Sequence, residues 1–201
     1  MAWYRCTGGN GGGGGATKVP YVYSTAQQYV ALPLYDDDDF IIEAKIAIKL
    51  KNIQAPLIGD GQWSSQSFVL YNENNETLQL RYNTSGNVTI QTEETIINNF
   101  VDIEMDSVNG TIVYNGTTYG GTPVRNHWQV GLFAQNASNR LGYLAIDEMK
   151  IYKDDALYMD LVPMKNESTN AGYLHDTVGE QDYYSLTSTN LKYDEIWIED
   201  Q

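Results

Sequence analysis

Cys6 is the only cysteine among 201 residues, so no intrachain disulfide can brace the chain and a packed core must hold it. Basic residues are scarce too: 12 Lys and Arg stand against 26 Asp and Glu, a formal net charge of −14. Phosphate backbones and anionic membrane surfaces would be repelled, which argues against nucleic acid and membrane insertion. The two histidines, His127 and His175, lie far apart without Cys or Glu at ligand spacing, so a zinc centre has no basis. No apolar run is long enough to span a bilayer, and the most apolar stretch, Phe40 to Leu50, is broken by Glu43, Lys45 and Lys49. A basic segment followed by an apolar core is missing at the start, so no signal peptide is expected. There is no Gly-X-Ser-X-Gly elbow and no Gly-Lys-Ser/Thr phosphate loop. Nor does any long segment carry a helical period with caps.

What the chain has is alternation. Phe40, Ile42, Ala44, Ile46, Ile48 and Leu50 alternate with Ile41, Glu43, Lys45, Ala47 and Lys49, the pattern of a half-buried strand. Tyr29 to Leu34 reads as an edge-like strand with Pro33 near its end. Shorter pieces follow at Ala55–Ile58, Phe68–Leu70, Leu78–Tyr82 and Val88–Ile90. Val101, Ile103 and Met105 share a face, Asn109-Gly110 and Asn115-Gly116 make tight turns around Ile112 and Tyr114, and Trp128, Val130, Leu132 and Ala134 form the next face. Short strands joined by hairpins predict an all-β, antiparallel two-sheet sandwich.

Gly142 to Asn166 is the densest stretch. Leu144 and Ile146 alternate, the period slips by one at Asp147-Glu148, and Met149 and Ile151 resume it, which predicts a strand with a bulge. Lys153-Asp154-Asp155 offers a turn, and Leu157, Met159 and Leu161 restart the alternation until Pro163, expected to end the strand. Met149, Lys150, Ile151, Tyr152, Leu157, Asp160, Leu161, Val162 and Pro163, followed by Gly172, Asp176, Tyr183 and Tyr184, resemble the closing hairpin and coda of concanavalin A-like (laminin G-like) jelly-roll domains. Such domains occur in virion and tail proteins of gut bacteriophages and in surface proteins of their hosts. The resemblance spans roughly residues 20 to 187 and implies a jelly roll carried on a virion. It leaves the chemistry open, because this sandwich hosts lectins, glucanases and inert modules alike.

Three units are expected. Residues 1–18 hold Trp3, Tyr4 and Arg5 ahead of a run with 7 of the 18 glycines between Gly8 and Gly15; such a run cannot bury side chains and reads as a tether for a small assembly anchor. Residues 19–190 form the jelly roll, and residues 191–201 an acidic tail or extra strand. The surplus of acid suits a soluble, non-sticky surface displayed at high copy number. Seven Asn-X-Ser/Thr triplets, from Asn75 to Asn166, read as turn and edge-strand chemistry rather than glycosylation sites in a chain expected to be made in a bacterial cytoplasm.

Several residues invite a chemical reading. Asp102, Glu104 and Asp106 share one strand face and resemble the Glu-X-Asp-X-Glu of laminarinase-type glucanases with residue types inverted. A retaining glycosidase needs its carboxyls about 5 to 5.5 Å apart across a cleft, and the simpler reading is the solvated face of a strand whose Val101, Ile103 and Met105 supply core. Glu195-Ile-Trp-Ile-Glu199 repeats the pattern with Trp197 in the middle position and reads as a strand or contact element. Asp36 to Asp39 could recruit Ca²⁺, yet contiguous carboxylates splay apart, so a solvated charge run is expected and no cofactor. Sugar binding would use loop aromatics that stack on a pyranose while Asn and Asp bond its hydroxyls. The candidates are Trp63, Tyr119 and Trp128.

The expectation is therefore a non-enzymatic virion component, a tail, fibre or capsid-decorating protein, whose partners are other virion proteins and copies of itself. A carbohydrate-binding module for a bacterial surface glycan is the alternative, and a glucanase-type hydrolase ranks third.

Overall fold

The computed structural model describes residues 16–25, 28–48, 55–60, 68–72, 77–81, 88–91, 100–120, 125–133 and 144–199, and among them every regular element is a strand. The chain opens with β1 (Ala16–Tyr23), β2 (Val30–Tyr35), β3 (Phe40–Ile48) and β4 (Ala55–Asp60). It continues through β5 (Val69–Asn72), β6 (Thr77–Arg81), β7 (Val88–Gln91), β8 (Val101–Asp106), β9 (Thr111–Tyr114), β10 (Thr117–Gly120) and β11 (Gln129–Leu132). The last strands are β12 (Leu144–Lys153), β13 (Ala156–Lys165), β14 (Gly172–Asp176), β15 (Gln181–Tyr183) and β16 (Lys192–Glu199).

They form two antiparallel sheets, as the alternation predicts. A six-stranded sheet runs β2-β11-β4-β5-β6-β7, and a ten-stranded sheet runs β10-β9-β8-β3-β12-β13-β14-β15, with β1 on β12 and β16 on β1. Between them lies one core. Ile42, Ile46, Ile48, Met105, Ile112, Ile146, Met149, Ile151 and Leu161 come from the larger sheet, and Leu32, Leu34, Leu70, Leu78, Leu80, Ile90, Val130 and Leu132 from the smaller, all fully buried. Each such side chain contributes roughly 1.5–3 kcal/mol relative to exposure, so a disulfide is dispensable.

The hairpin turns match their sequence signals. Asn115 and Gly116 both take positive φ, 47° and 75°, as a two-residue turn between β9 and β10 requires. Asp154 and Asp155 do the same between β12 and β13 at 52° and 61°, a conformation Asp tolerates better than most residues.

The β12 ladder slips between Ile146 and Glu148, where the broken period places a bulge. One edge of β12 carries β3 throughout; the other is shared. Its first part pairs with β1 (Tyr23↔Ala145, Val22↔Ile146) and its second with β13, from Met149↔Leu161 onward. This division corrects one expectation. Pro163 does not end β13, which continues to Lys165 with Pro163 opposite Leu174. Beyond Leu161 the strand has no β12 neighbour, so a residue without an N–H sits at an edge where no donor is required.

β1 opens at Ala16, and β16 lies along its whole length, from Tyr23↔Lys192 to Ala16↔Glu199. The two are joined by an ion pair between Lys18 and Glu195.

Candidate functional site

Strand alternation builds the outer face of the ten-stranded sheet. Because Phe40, Ile42, Ala44 and Ile46 face the core, Ile41, Glu43, Lys45 and Ala47 face away. On β8, Ile103 and Met105 go inward and Asp102, Glu104 and Asp106 outward. The bulge decides β12: after the slip, Met149 and Ile151 enter the core, which leaves Glu148, Lys150 and Tyr152 outside. Register then aligns them in rows across the sheet. Asp106, Ile41 and Tyr152 form one row; Val113, Glu104, Glu43, Lys150 and Asp160 the next; Asp102, Lys45 and Glu148 the third.

Two hollows lie on this face. One of about 450 Å³ is lined by Glu43, Asp102, Glu104, Val113, Glu148 and Lys150. The other, of about 370 Å³, is lined by Ile41, Val108, Tyr152, Asp39, Asp154 and Asp155. Both fall within the range of small-molecule sites. Tyr152 lines the second hollow and stands one register row from Glu43 in the first; burial first and the nearby Glu43 carboxylate second push its phenol above its ordinary range. The floor continues beyond the hollows to Ala47 and Ala145, which Tyr21, Tyr23, Phe100 and Ile196 cover. There Tyr21 meets Phe100 edge-on at 5.5 Å. From Ile41 to Ala47 is six residues of strand, about 20 Å, so the face forms a groove with aromatic rings at both ends and charged groups between.

Acceptors dominate the groove. Asp102, Glu104 and Glu148 form no ion pair with a described residue, although six pairs occur elsewhere. Glu104 stands directly opposite Glu43, and like charges in that position cost stability.

A second acidic region, the corner between β2 and β3, is built differently. Asp36 is buried, and its Oδ1 accepts the amides of Asn126 at 3.0 Å and Trp128 at 2.9 Å, while Oδ2 is enclosed without a partner. Burial raises its pKa against the pull of those amides. The clamp brackets His127, which holds a left-handed φ of 59°, bonds Asp37 at 2.9 Å and stacks on Tyr35 at 4.4 Å. Asp38 accepts the Tyr35 amide at 2.9 Å and pairs with Lys153 at 2.7 Å. Asp39 pairs with Arg125 at 2.6 Å. Burial alone would raise the Asp38 carboxyl, but Lys153 and the Tyr35 amide outweigh it and hold the group below its usual value. The four carboxylates thus diverge to four partners. Among the described residues, no three His, Cys, Asp or Glu side chains converge as a metal site would need.

The residues singled out from sequence fall as follows. Tyr119 lies on edge strand β10, half-buried against the core. Trp128 is half-buried just before β11, in the other sheet, so the fold does not bring the two together. Trp63 and the anchor residues Trp3, Tyr4 and Arg5 lie outside the described residues. The Asp102–Glu104–Asp106 face does point outward, but the partners that make it a groove, Glu43, Lys150 and Tyr152, were not singled out. The broken period at Asp147-Glu148 was the signal available for Tyr152, since it reverses which side of β12 that residue occupies.

No family model matches the chain, and no curated protein matches its sequence. Solved structures share the fold. A presumed carbohydrate-binding protein from Bacteroides ovatus superposes with a TM-score of 0.57 at 10% identity, over 89% of this chain and 60% of that one. The chain therefore spans 60% of that neighbour's length, less than two thirds. Trypanosoma rangeli sialidase, solved with sialic acid, aligns at a TM-score of 0.46 and 15% identity over 58% of this chain and 21% of its own. A botulinum neurotoxin type C structure, from work on its interaction with two ganglioside molecules, aligns at 0.36 and 9% over 94% and 74%.

Proposed function

We propose that this chain is a non-catalytic, glycan-binding jelly roll, and that the groove on the outer face of the ten-stranded sheet is its binding surface. One observation carries the reading: Tyr152, a half-buried ring lining one hollow, stands one register row from a second hollow walled by Glu43, Asp102, Glu104 and Glu148, none of which forms an ion pair with a described residue. An aromatic face for the apolar side of a sugar, set beside acceptors for its hydroxyls, is the chemistry such ligands require. The sandwich shared with the Bacteroides ovatus protein is compatible with this role and by itself assigns no activity.

Binding is favoured over hydrolysis by the openness of the site. A general acid needs a carboxyl sequestered from water; Glu43 is exposed, Glu104 half-buried, and Lys150 stands opposite Glu43. A glycan array with the full chain, followed by calorimetry on the best binder, tests the proposal. Tyr152→Ala and Glu43→Ala should each weaken binding about tenfold, the scale of one lost aromatic or charge-assisted contact. Binding to no glycan would overturn it. Loss with Trp63→Ala but not with either groove variant would move the site to that loop, and sugar release abolished by Glu104→Gln would make the protein a hydrolase.

A second reading concerns where the module is carried. The resemblance to virion jelly rolls, the anchor-like Trp3-Tyr4-Arg5 and the glycine run just before β1 favour a particle component held by its N-terminal arm. Deleting residues 1–15 should abolish incorporation into the particle and leave the fold intact; unchanged incorporation would discard it.

A further inference from the structure

We infer that the groove accepts uncharged, hydroxyl-rich oligosaccharides and rejects sugars bearing carboxylate or sulfate, an inference that rests on the glycan-binding reading above. Acidic glycans bind through cations, and on this face the two lysines, which form no ion pair with a described residue, are outnumbered by acids. Its two ammonium groups are each bracketed by acids in register: Lys45 lies between Asp102 and Glu148, and Lys150 between Glu43 and Asp160. At the rim, Arg125 is taken by Asp39 and Lys153 by Asp38. The neighbouring groups are Glu104, Asp154 and Asp155, acids again. An incoming anion would meet like charges within a Debye length, on a chain already at −14.

A neutral sugar meets the opposite situation. Ionised carboxylates only accept hydrogen bonds, and hydroxyls can donate to them in charge-assisted bonds. Glu43 and Glu104, opposed across β3 and β8, repel one another when unliganded. A row of sugar hydroxyls donating to both disperses that charge, so the opposed pair favours a donor-rich ligand rather than a bare surface. Tyr152, lining the neighbouring hollow, offers its ring to stack and its hydroxyl to bond.

The test is calorimetry of the full chain against neutral hexasaccharides (a β-1,4-glucan, a β-1,4-mannan and an α-1,4-glucan), hexagalacturonate and a sialylated oligosaccharide, at low and high salt. The expected result is that a neutral probe binds and that every acidic probe binds at least tenfold more weakly, with the gap narrowing at high salt. The double variant Glu104→Lys/Glu148→Lys should then gain at least tenfold for hexagalacturonate, and Glu104→Gln/Glu148→Gln an intermediate amount. An acidic probe binding as tightly as the neutral ones, or no gain on charge reversal, would overturn the charge rule while sparing the glycan-binding reading. Failure of every sugar, charged or not, would take down both.

Discussion

Two acidic regions of this molecule are built on opposite principles. At the corner between β2 and β3, Asp36, Asp37, Asp38 and Asp39 each have a dedicated partner, respectively backbone amides, His127, Lys153 and Arg125. On the outer face of the ten-stranded sheet, Asp102, Glu104 and Glu148 form no ion pair with a described residue, and Glu104 faces Glu43 across the ladder. The corner uses negative charge to hold a strained loop in place. The sheet face keeps its charge free, at some cost to stability, and the hollow of about 450 Å³ lies there. Acid content alone therefore says nothing about role; the partners do.

The comparison breaks most readily at Asp36. Replacing it with Ala removes the buried acceptor of two part-buried amides, those of Asn126 and Trp128, which should cost about 2 to 3 kcal/mol in urea unfolding. Asp36→Asn, which keeps an acceptor oxygen, should recover most of that. A loss under about 1 kcal/mol for the Ala variant would mean that the corner is not structural.

Next in size is the groove. Tyr152→Ala should weaken sugar binding roughly tenfold, whereas Tyr35→Ala, at the corner, should leave binding unchanged. Equal losses would erase the distinction between the regions.

Acid titration of stability sharpens the corner itself. Asp38 has a lowered pKa in the folded state, so the stability it contributes is full above its unfolded value and disappears as pH falls toward the folded one. Asp38→Asn should therefore destabilise at pH 7, and that loss should shrink as pH falls below about 3.8, the ordinary carboxyl value. Asp36 runs the other way: its raised pKa means the folded state takes up a proton first, so stability rises as pH drops through the window above its unfolded value. Asp36→Asn should remove that rise. Denaturant midpoints across the acid range report both.

The smallest effect belongs to Glu104→Gln. It should change stability by no more than about 0.5 kcal/mol, with any change in the favourable direction, because a like-charge opposition is relieved. Destabilisation beyond that would show the sheet-face acids to be structural after all.

Much of this was legible along the chain. Val101, Ile103 and Met105 announced that Asp102, Glu104 and Asp106 face outward, and the broken period at Asp147-Glu148 located the bulge between Ile146 and Glu148. The turns at Asn115-Gly116 and Asp154-Asp155 were visible as residues that tolerate positive φ. What was not legible has one cause. Glu43 faces Glu104, Asp36 clamps a loop 90 residues on, and Pro163 sits inside β13 because β12 has turned to β1. Tyr119 and Trp128 look alike as aromatics near turns, and only packing separates them from a ring such as Tyr152 that faces a hollow.

Side-chain direction in a strand depends on immediate neighbours, so the order of residues alone was enough to specify strands, turns, a bulge and a two-sheet sandwich with an acidic exterior. Which acids are neutralised and which stay free depends on register between strands far apart in sequence. That register is set when the two sheets close over their common core, and only the assembled fold could decide it.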